Sequence, residues 1–429
     1  MVRQKCSGIR RSYLGVIADD FTGATDIASF MANAGWKVVL FNGVPDEAYD
    51  DDSHDAIVIA LKSRSIPASE AITQSLAASE WFKAHGCERQ FFKYCSTFDS
   101  TDSGNIGPVT DALMASLNTS MTILCPAVPD NGRTIVHGHL FVKGQLLNEC
   151  GMQHHPVTPM NNACLKVLME AQSNGICGLI SLDDVQNYKE TLPEILHSLR
   201  SEKVNYVIFD VLNNDDLLTA ARITSDFPFV TGGAGLGWAI AKLDTESREE
   251  WDNQINIESA GYSVILSGSC SSMTNQQVDF YKQRASSLAL EVEKIIQQDD
   301  YLQEVAEWVI NHSGNALAPL VYATQPSYIT EAIQKQYGSE YVSERIERFF
   351  SDLARCLSNR GFNKFIVAGG ETSGAVIQGL NVRGMIIGHD VAPGVPWTQV
   401  LDQQKWVILK SGNFGSSDFF LKAQESFHG

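Results

Sequence analysis

LGVIADDFTGATDIAS, residues Leu14–Ser29, is the stretch whose reading decides the fold. The apolar run Leu14, Val16, Ile17, Ala18 has the length and composition of a buried strand. It ends abruptly in Asp19-Asp20, followed by Phe21-Thr22-Gly23-Ala24 as a turn and by helical spacing over Asp26–Ala32. Strand, acidic-glycine turn and helix in that order make the first unit of an α/β sheet, in which ligands bind outside the carboxyl ends of the strands. Two adjacent carboxylates at a strand end are costly to bury unless they meet a hydroxyl, a cation or a metal. One of the pair suits the cap of the following helix, and the other is expected to face a ligand.

Outward from this unit the alternation continues. Apolar strands are predicted over 36–41, 55–61, 90–94, 122–125, 177–180, 205–210 and 227–231. Helices are predicted between them, from Pro67 to about 85, from Pro108, from about Asn161, over 185–201 and over 215–225. Val136–Leu147, with glycines at 138 and 144, reads as a hairpin excursion, and 45–55 as a solvated acidic loop. The polar, acidic segment 244–260 is the boundary candidate. Beyond it the pattern restarts with strands at 262–266, near 318–322 and at 364–368, and a long helix over 343–359. Strands alternating with helices point to parallel sheets. The expected architecture is α/β in two domains, residues 1–245 and 256–429, each a mostly parallel sheet flanked by helices. No repeat between the halves and no low-complexity segment is visible in the sequence.

A length of 429 residues suits two or three domains, and 44% hydrophobic content with 33 glycines suits a globular, turn-rich chain. The net charge of −18 argues against a nucleic-acid partner, which demands basic patches. It does not forbid an anionic small molecule held by local groups. Nine cysteines (6, 87, 95, 125, 150, 164, 177, 270, 356), odd in number and without a Cys-x-x-Cys pair, suit free thiols in a reducing cytoplasm. The opening MVRQKCSGIRRSY lacks the apolar core of a signal peptide and is expected to be a frayed tail, and no run approaches membrane-spanning length.

Three loops carry the pattern of a phosphate cradle. Ile366–Gly374 is an apolar strand, then Gly369-Gly370, then Glu371-Thr372-Ser373-Gly374 opening a helix. Successive backbone N–H groups at a helix start hold an anion without any basic side chain. Ser267–Ser272 and Ser411–Gly415 repeat the logic at two other strand ends, and three such loops in one half suggest a nucleotide cleft. The Gly-x-x-x-x-Gly-Lys-Ser/Thr loop is missing, which excludes that enzyme class. Gly233–Gly237 followed by Trp238 falls short of a dinucleotide fingerprint, and tight helix–strand packing explains it better. His137, His139, His154 and His155 show no third-ligand spacing, so hydrogen-bonded loop histidines are expected rather than a protein metal site. In the first half Arg64, Asp99, Ser100, Thr101 and Asn105 gather at strand ends. A guanidinium suits bidentate capture of a carboxylate, and Asp and Asn suit a polyol. The alternative for Arg64 is a salt bridge to one of the aspartates.

Ile17–Ala24, Asp99-Ser100-Thr101 with Gly104-Asn105-Ile106-Gly107, Pro129 with Gly132-Arg133-Thr134, Gly369–Gly374, Pro393–Trp397 and Leu409–Gly415 together resemble the four-carbon acid sugar kinase family, nearly end to end and in order. The resemblance implies an N-terminal domain that binds a sugar acid, a C-terminal domain that binds ATP, and an active-site cleft between the two. Carried over residue by residue, Asp20, Arg64 and Thr97–Ser100 would hold the substrate, and Ser267, Gly369–Thr372 and Gly412 or Gly415 the nucleotide. Asp19, Asn105 and Ser269 join these sets from their places in the same loops. The family's threonate-type loop reads Lys-x-Asp-Ser-Thr-Leu-Arg-Gly-Asn. Here Thr97 stands for the lysine and Asp102-Ser103 for Leu-Arg, with Lys93 upstream as the substitute. Cys95–Thr101 with His155–Met160 looks like the 3-oxo-tetronate branch. The function this implies is ATP-dependent phosphorylation of the C4 hydroxyl of 3-oxo-tetronate, with Mg2+ accompanying the nucleotide. The alternatives are a D-threonate or D-erythronate kinase, or a non-catalytic sugar-acid sensor. In the kinase readings Asp20 orients the acceptor hydroxyl and takes its proton, while Arg64 pins the acid's carboxylate. A cytoplasmic enzyme without membrane or nucleic-acid partners, and a homodimer by family analogy, complete the expectation.

Overall fold

The computed structural model describes residues 14–45, 49, 53–87, 89–154, 158–245, 255, 257, 260–324 and 337–425. The basic opening, part of the acidic loop 45–55, residues 155–157 and most of the segment 244–260 lie outside the described residues. The chain divides into two compact units, Met1–Asn253 and Gln254–Gly429.

The first unit contains β1 (Leu14–Ala18), β2 (Val38–Asn42), β3 (Ala56–Ala60), β4 (Arg89–Lys93), β5 (Thr122–Cys125), β6 (Arg133–Val136), β7 (His139–Val142), β8 (Gln145–Leu146), β9 (Cys177–Ile180), β10 (Tyr206–Phe209) and β11 (Phe229–Gly232). Its main strands follow the order β2-β3-β1-β4-β11-β5-β10-β9, every neighbouring pair parallel. All five residues of β1 and of β3 are buried, as apolar runs with helices on both faces require. The excursion is a three-stranded antiparallel sheet, β6-β7-β8, that starts at Arg133 rather than at Val136. Asp210, fully buried after β10, fixes it by accepting from the N–H groups of His137 and Gly138, each at 2.9 Å.

The second unit contains β12 (Tyr262–Ser267), β13 (Ser287–Ala289), β14 (Leu320–Tyr322), β15 (Phe362–Ala368), β16 (Gly384–Ala392), β17 (Val395–Val400) and β18 (Trp406–Lys410). Their order is β13-β14-β12-β15-β18-β17-β16, with β17 antiparallel to both of its neighbours and the other resolved pairs parallel. Trp397, Trp406, Tyr281, Ile366, Ile408, Phe419 and Phe420 form its core. Burying each large apolar side chain of this kind is worth about 1.5–3 kcal/mol.

Several boundaries differ from the sequence reading. The first helix starts at Phe21, so the presumed turn Phe21–Ala24 is its first turn. The helix expected from Pro108 runs Ile106–Ser116, because proline is tolerated in a first turn whose N–H groups have no helical acceptor. The one expected from Asn161 starts at Leu165. Asn162 Oδ1 accepts from Cys164 N, and Ala163 O from Leu140 N, which holds that segment extended. β13 and the helices Val292–Gln297 and Tyr301–His312 were not foreseen. The two units share one strand order that no sequence repeat announces: β2-β3-β1-β4 in the first corresponds to β13-β14-β12-β15 in the second.

Candidate functional site

In the first unit β3, β1 and β4 lie side by side in register, with Ala18 opposite both Ala60 and Lys93. Their carboxyl ends therefore bring together Ala18, Ala60 and Lys93, which are far apart in sequence. The β1 position is the point where the strand order reverses, the usual ligand crevice of such sheets. Asp19 O accepts from Ser63 N at 2.9 Å and from Arg64 N at 3.1 Å, which folds the Arg64 segment back over β1. The Arg64 guanidinium then grips Asp19 with Nε (3.0 Å) and Nη2 (2.8 Å), and Asp20 Oδ1 with Nη2 (2.7 Å).

The two aspartates are thereby separated in role. Asp19 is buried with both oxygens taken. Burial raises its carboxyl above the ordinary value, against the pull of Arg64. Burial also works against the arginine's charge, but Asp19 and then Asp20 outweigh it and hold Arg64 above its usual value, hence charged. Asp20 caps the helix, accepting from Gly23 N at 2.8 Å. It is also the more exposed of the two, at 30% of its side chain against 7% for Asp19. Its Oδ2 has no partner among the described residues. The expectation that one aspartate caps while the other faces a ligand is corrected: Asp20 caps with one oxygen and keeps the second available, while Asp19 supports Arg64.

The loop after β4 holds Phe98 at φ 50, a left-handed conformation that a buried aromatic residue rarely adopts. Thr97 Oγ1 donates to Asp99 Oδ1 at 2.6 Å. The Ser100 hydroxyl is buried and donates to Gln172 Oε1, and Asn105 Nδ2 donates to the carbonyls of Ser63 and Ile66 at 2.7 and 2.8 Å. Asn105 thus ties this loop to the Arg64 segment, and Ser100 ties it to the helix Leu165–Gln172. Lys93, at the end of β4 and buried, donates to Tyr94 O, its only hydrogen-bond acceptor among the described residues.

In the second unit β12, β15 and β18 are adjacent, parallel and level, Ser267 opposite Ala368 and Ala368 opposite Lys410. The three glycine-serine loops accordingly leave one sheet edge together. Gly369 has φ 123, and a Cβ there would lie 3.1 Å from Ser269 N, so only glycine lets the two loops approach. A Cβ on Gly412 would lie 2.5 Å from Ser269 Oγ. Gly370, Glu371 and Thr372 open the helix Gly370–Gly379, where their N–H groups have no preceding turn to donate to. Gly415, at φ 78, closes the third loop against Phe419. Ser267 itself is fully buried with its hydroxyl 2.7 Å from Thr324 Oγ1, a structural tie at the base of the cradle. Glu371, exposed, is the only carboxylate within the three loops. Backbone N–H groups, hydroxyls and one accessible carboxylate suit a phosphate chain with its divalent cation, which keeps most of its own waters.

Sequence reasoning missed Lys410, Thr274 and Gln277, which fasten the third loop. Lys410 was legible as the lysine that ends an otherwise apolar strand, Trp406–Lys410. Gly233, Gly235 and Gly237 serve close packing, a Cβ on Gly235 falling 2.6 Å from Ala127 O. His139 Nδ1 donates to His137 O, and among the described residues no group of three or more His, Cys, Asp and Glu side chains is placed to hold a metal. No described helix is long and apolar enough to cross a membrane.

Residues 14–240 match the family model described as a sugar-binding N-terminal domain, and residues 264–420 the one described as a nucleotide-binding C-terminal domain. A relative from Brucella melitensis biotype 1, named 3-oxo-tetronate kinase, is 49% identical over 424 residues, covering 98% of this chain and 97% of that protein. One from Pectobacterium atrosepticum with the same name is 46% identical over 420 residues, covering 96% and 99%. The crystal structure of a Haemophilus influenzae protein is similar with a TM-score of 0.86 at 46% identity, covering 96% of this chain and 100% of that one.

Proposed function

The chain belongs to the four-carbon acid sugar kinase family, and we propose that it transfers the γ-phosphoryl group of ATP to the C4 hydroxyl of 3-oxo-tetronate, giving 3-oxo-tetronate 4-phosphate. The observation that carries the reading is the level exit of three glycine-serine loops from β12, β15 and β18, a cradle built for phosphate rather than for a base or a protein side chain. Relatives 46–49% identical along nearly the whole length supply the acceptor's identity. Residues 1–245 bind the sugar acid in this reading, and residues 256–429 bind the nucleotide.

Phosphoryl transfer asks for positioning and charge neutralisation more than covalent help. Asp20 Oδ2 receives the acceptor hydroxyl, orients it and takes its proton as the bond to phosphorus forms. Oδ1 stays fixed by Gly23 and Arg64, so the carboxylate cannot swing away. Arg64 retains Nη1, and Lys93 retains unspent N–H groups, for the acid's carboxylate. Thr97, Asp99 and the neighbouring backbone face the remaining hydroxyls. Ser269, Gly369–Thr372, Gly412 and Gly415 hold the nucleotide phosphates, and Glu371 with those phosphates would hold Mg2+, which would supply charge neutralisation. A homodimer is the assembly proposed by family analogy.

A coupled assay of ADP release across 3-oxo-tetronate, D-threonate and D-erythronate tests the reading. The highest kcat/KM is expected with 3-oxo-tetronate. Preference for another acid moves the assignment within the family. Tight binding without turnover of any acid overturns the kinase reading in favour of a sensor.

A further inference from the structure

Lys410 is 1% exposed, and among the described residues its ammonium has no carboxylate partner. Its three acceptors are Thr274 Oγ1 at 3.1 Å, Ser411 O at 3.0 Å and Gly412 O at 3.1 Å. The ring of Phe419 lies 5.9 Å away. Two further donors converge on the same Gly412 carbonyl, Ser271 Oγ at 2.6 Å and Thr274 Oγ1 at 2.8 Å. Such triple capture of one loop carbonyl is more than satisfying a single acceptor requires.

The consequence follows from the planar trans peptide, in which C=O and the next N–H point in opposite directions. Drawing the carbonyls of Ser411 and Gly412 inward onto Lys410 turns the N–H groups of Gly412 and Asn413 away from it. Neither of those N–H groups has an acceptor among the described residues. Two successive N–H groups aimed the same way form an anion-binding concavity. We infer that Lys410 is the positioning residue of the nucleotide site: its ammonium, with Ser271 and Thr274, holds the Gly412 loop inverted so that its backbone donors face a nucleotide phosphate. The inference rests on the nucleotide reading of these loops and deepens it. Burial pulls the ammonium down to about 8, as expected of a cation that no carboxylate among the described residues compensates.

The test compares the full-length wild type with Lys410→Met and Thr274→Val. ADP affinity is measured by titration calorimetry, KM for ATP and for the sugar acid by steady-state kinetics, and Tm by melting. Methionine keeps the apolar stem and removes the charge. Loss of a charged hydrogen bond of this kind is expected to raise the ADP Kd and the ATP KM about tenfold or more. The sugar-acid KM should stay within about twofold, a split that general loosening of the fold does not produce. Thr274→Val, which removes one of the three donors, should raise the ATP KM by a smaller factor. A folded Lys410→Met protein with wild-type ADP affinity, or one in which both KM values rise alike, overturns the inference. If Lys410→Met does not fold, an unchanged ATP KM in Thr274→Val overturns it instead. A wild type that binds no ADP overturns the nucleotide reading, and this inference with it.

Discussion

Arg64 makes three hydrogen bonds to Asp19 and Asp20, which changes what its removal should do. The sequence reading cast it as the clamp on the substrate's carboxylate, and removal would then chiefly raise KM. In the fold it also neutralises the buried Asp19, so Arg64→Ala leaves that carboxylate unpaired and should cost about 3–5 kcal/mol of stability. Arg64→Lys should restore little of this, because an ammonium lacks the two-pronged geometry. Urea unfolding of the three proteins checks both statements. Asp20→Asn is the opposite case. Asparagine caps a helix nearly as well as aspartate, so Tm and ADP affinity should hold, while kcat falls roughly a hundredfold or more for want of a base. A near-normal kcat would move the role to Asp19. For Lys410 the sign follows from burial: its folded value, about 8, lies below the unfolded 10.5. Below about pH 8 the penalty for burying the cation is present in full. Between pH 8 and 10.5 the folded state releases its proton first, so stability rises with pH by roughly 3 kcal/mol. Denaturant melts at pH 7 and pH 10.5 should show this rise in wild type and a smaller one in Lys410→Met.

At the scale of elements, both candidate loop sets are made by parallel strands that end level with one another. Asp19 and Lys93 meet because Asp19 N donates to Lys93 O at 3.1 Å across the β1–β4 ladder, not because of any closeness in sequence. The hairpin β6–β7 depends in a similar way on one distant group. His137 adopts φ 48 and Gly138 φ 71 at its turn, and Asp210 receives both of their N–H groups and that of Leu182 at 3.2 Å. Asp210→Ala would orphan three backbone donors and should cost roughly 3 kcal/mol or more. Hydrogen exchange should localise the loss to residues 135–142 before it appears in β1 or β4. Equal loss of protection in β1 would show that the hairpin is not a separate cooperative element.

At the scale of the whole molecule, each unit has its own core and its own strand order, and the two family models stop and start on either side of residues 241–263. Limited proteolysis should therefore cut first between about 244 and 260 and release two compact fragments. Saturating ADP should raise the Tm of the full chain by the binding free energy it adds, about 2.7 kcal/mol at a hundred times its Kd. First cuts elsewhere, with 244–260 protected, would contradict a division there. The net charge of −18 is carried by a molecule whose candidate sites are locally cationic or donor-rich. A net negative charge thus coexists with anion recognition, because recognition is set within a few ångströms and charges are screened beyond about 10 Å.

The sequence alone determined most of the elements and the chemistry of their loops. Leu14–Ala18 and Lys364–Ala368 could only be buried strands, and the glycine and hydroxyl residues after 267, 368 and 410 announced loops shaped for an anion. These features are local, carried by side-chain period and by glycine's lack of a Cβ, so they are legible without a fold. What it left open was decided by tertiary contacts. Which aspartate keeps a free oxygen depended on where the Arg64 segment folds back, and Lys410 gained its place from carbonyls whose direction no residue type encodes. The shared order β2-β3-β1-β4 and β13-β14-β12-β15 has no counterpart in residue identity. Right-handed crossover connections constrain strand order through backbone twist and helix packing, which many unrelated sequences satisfy alike.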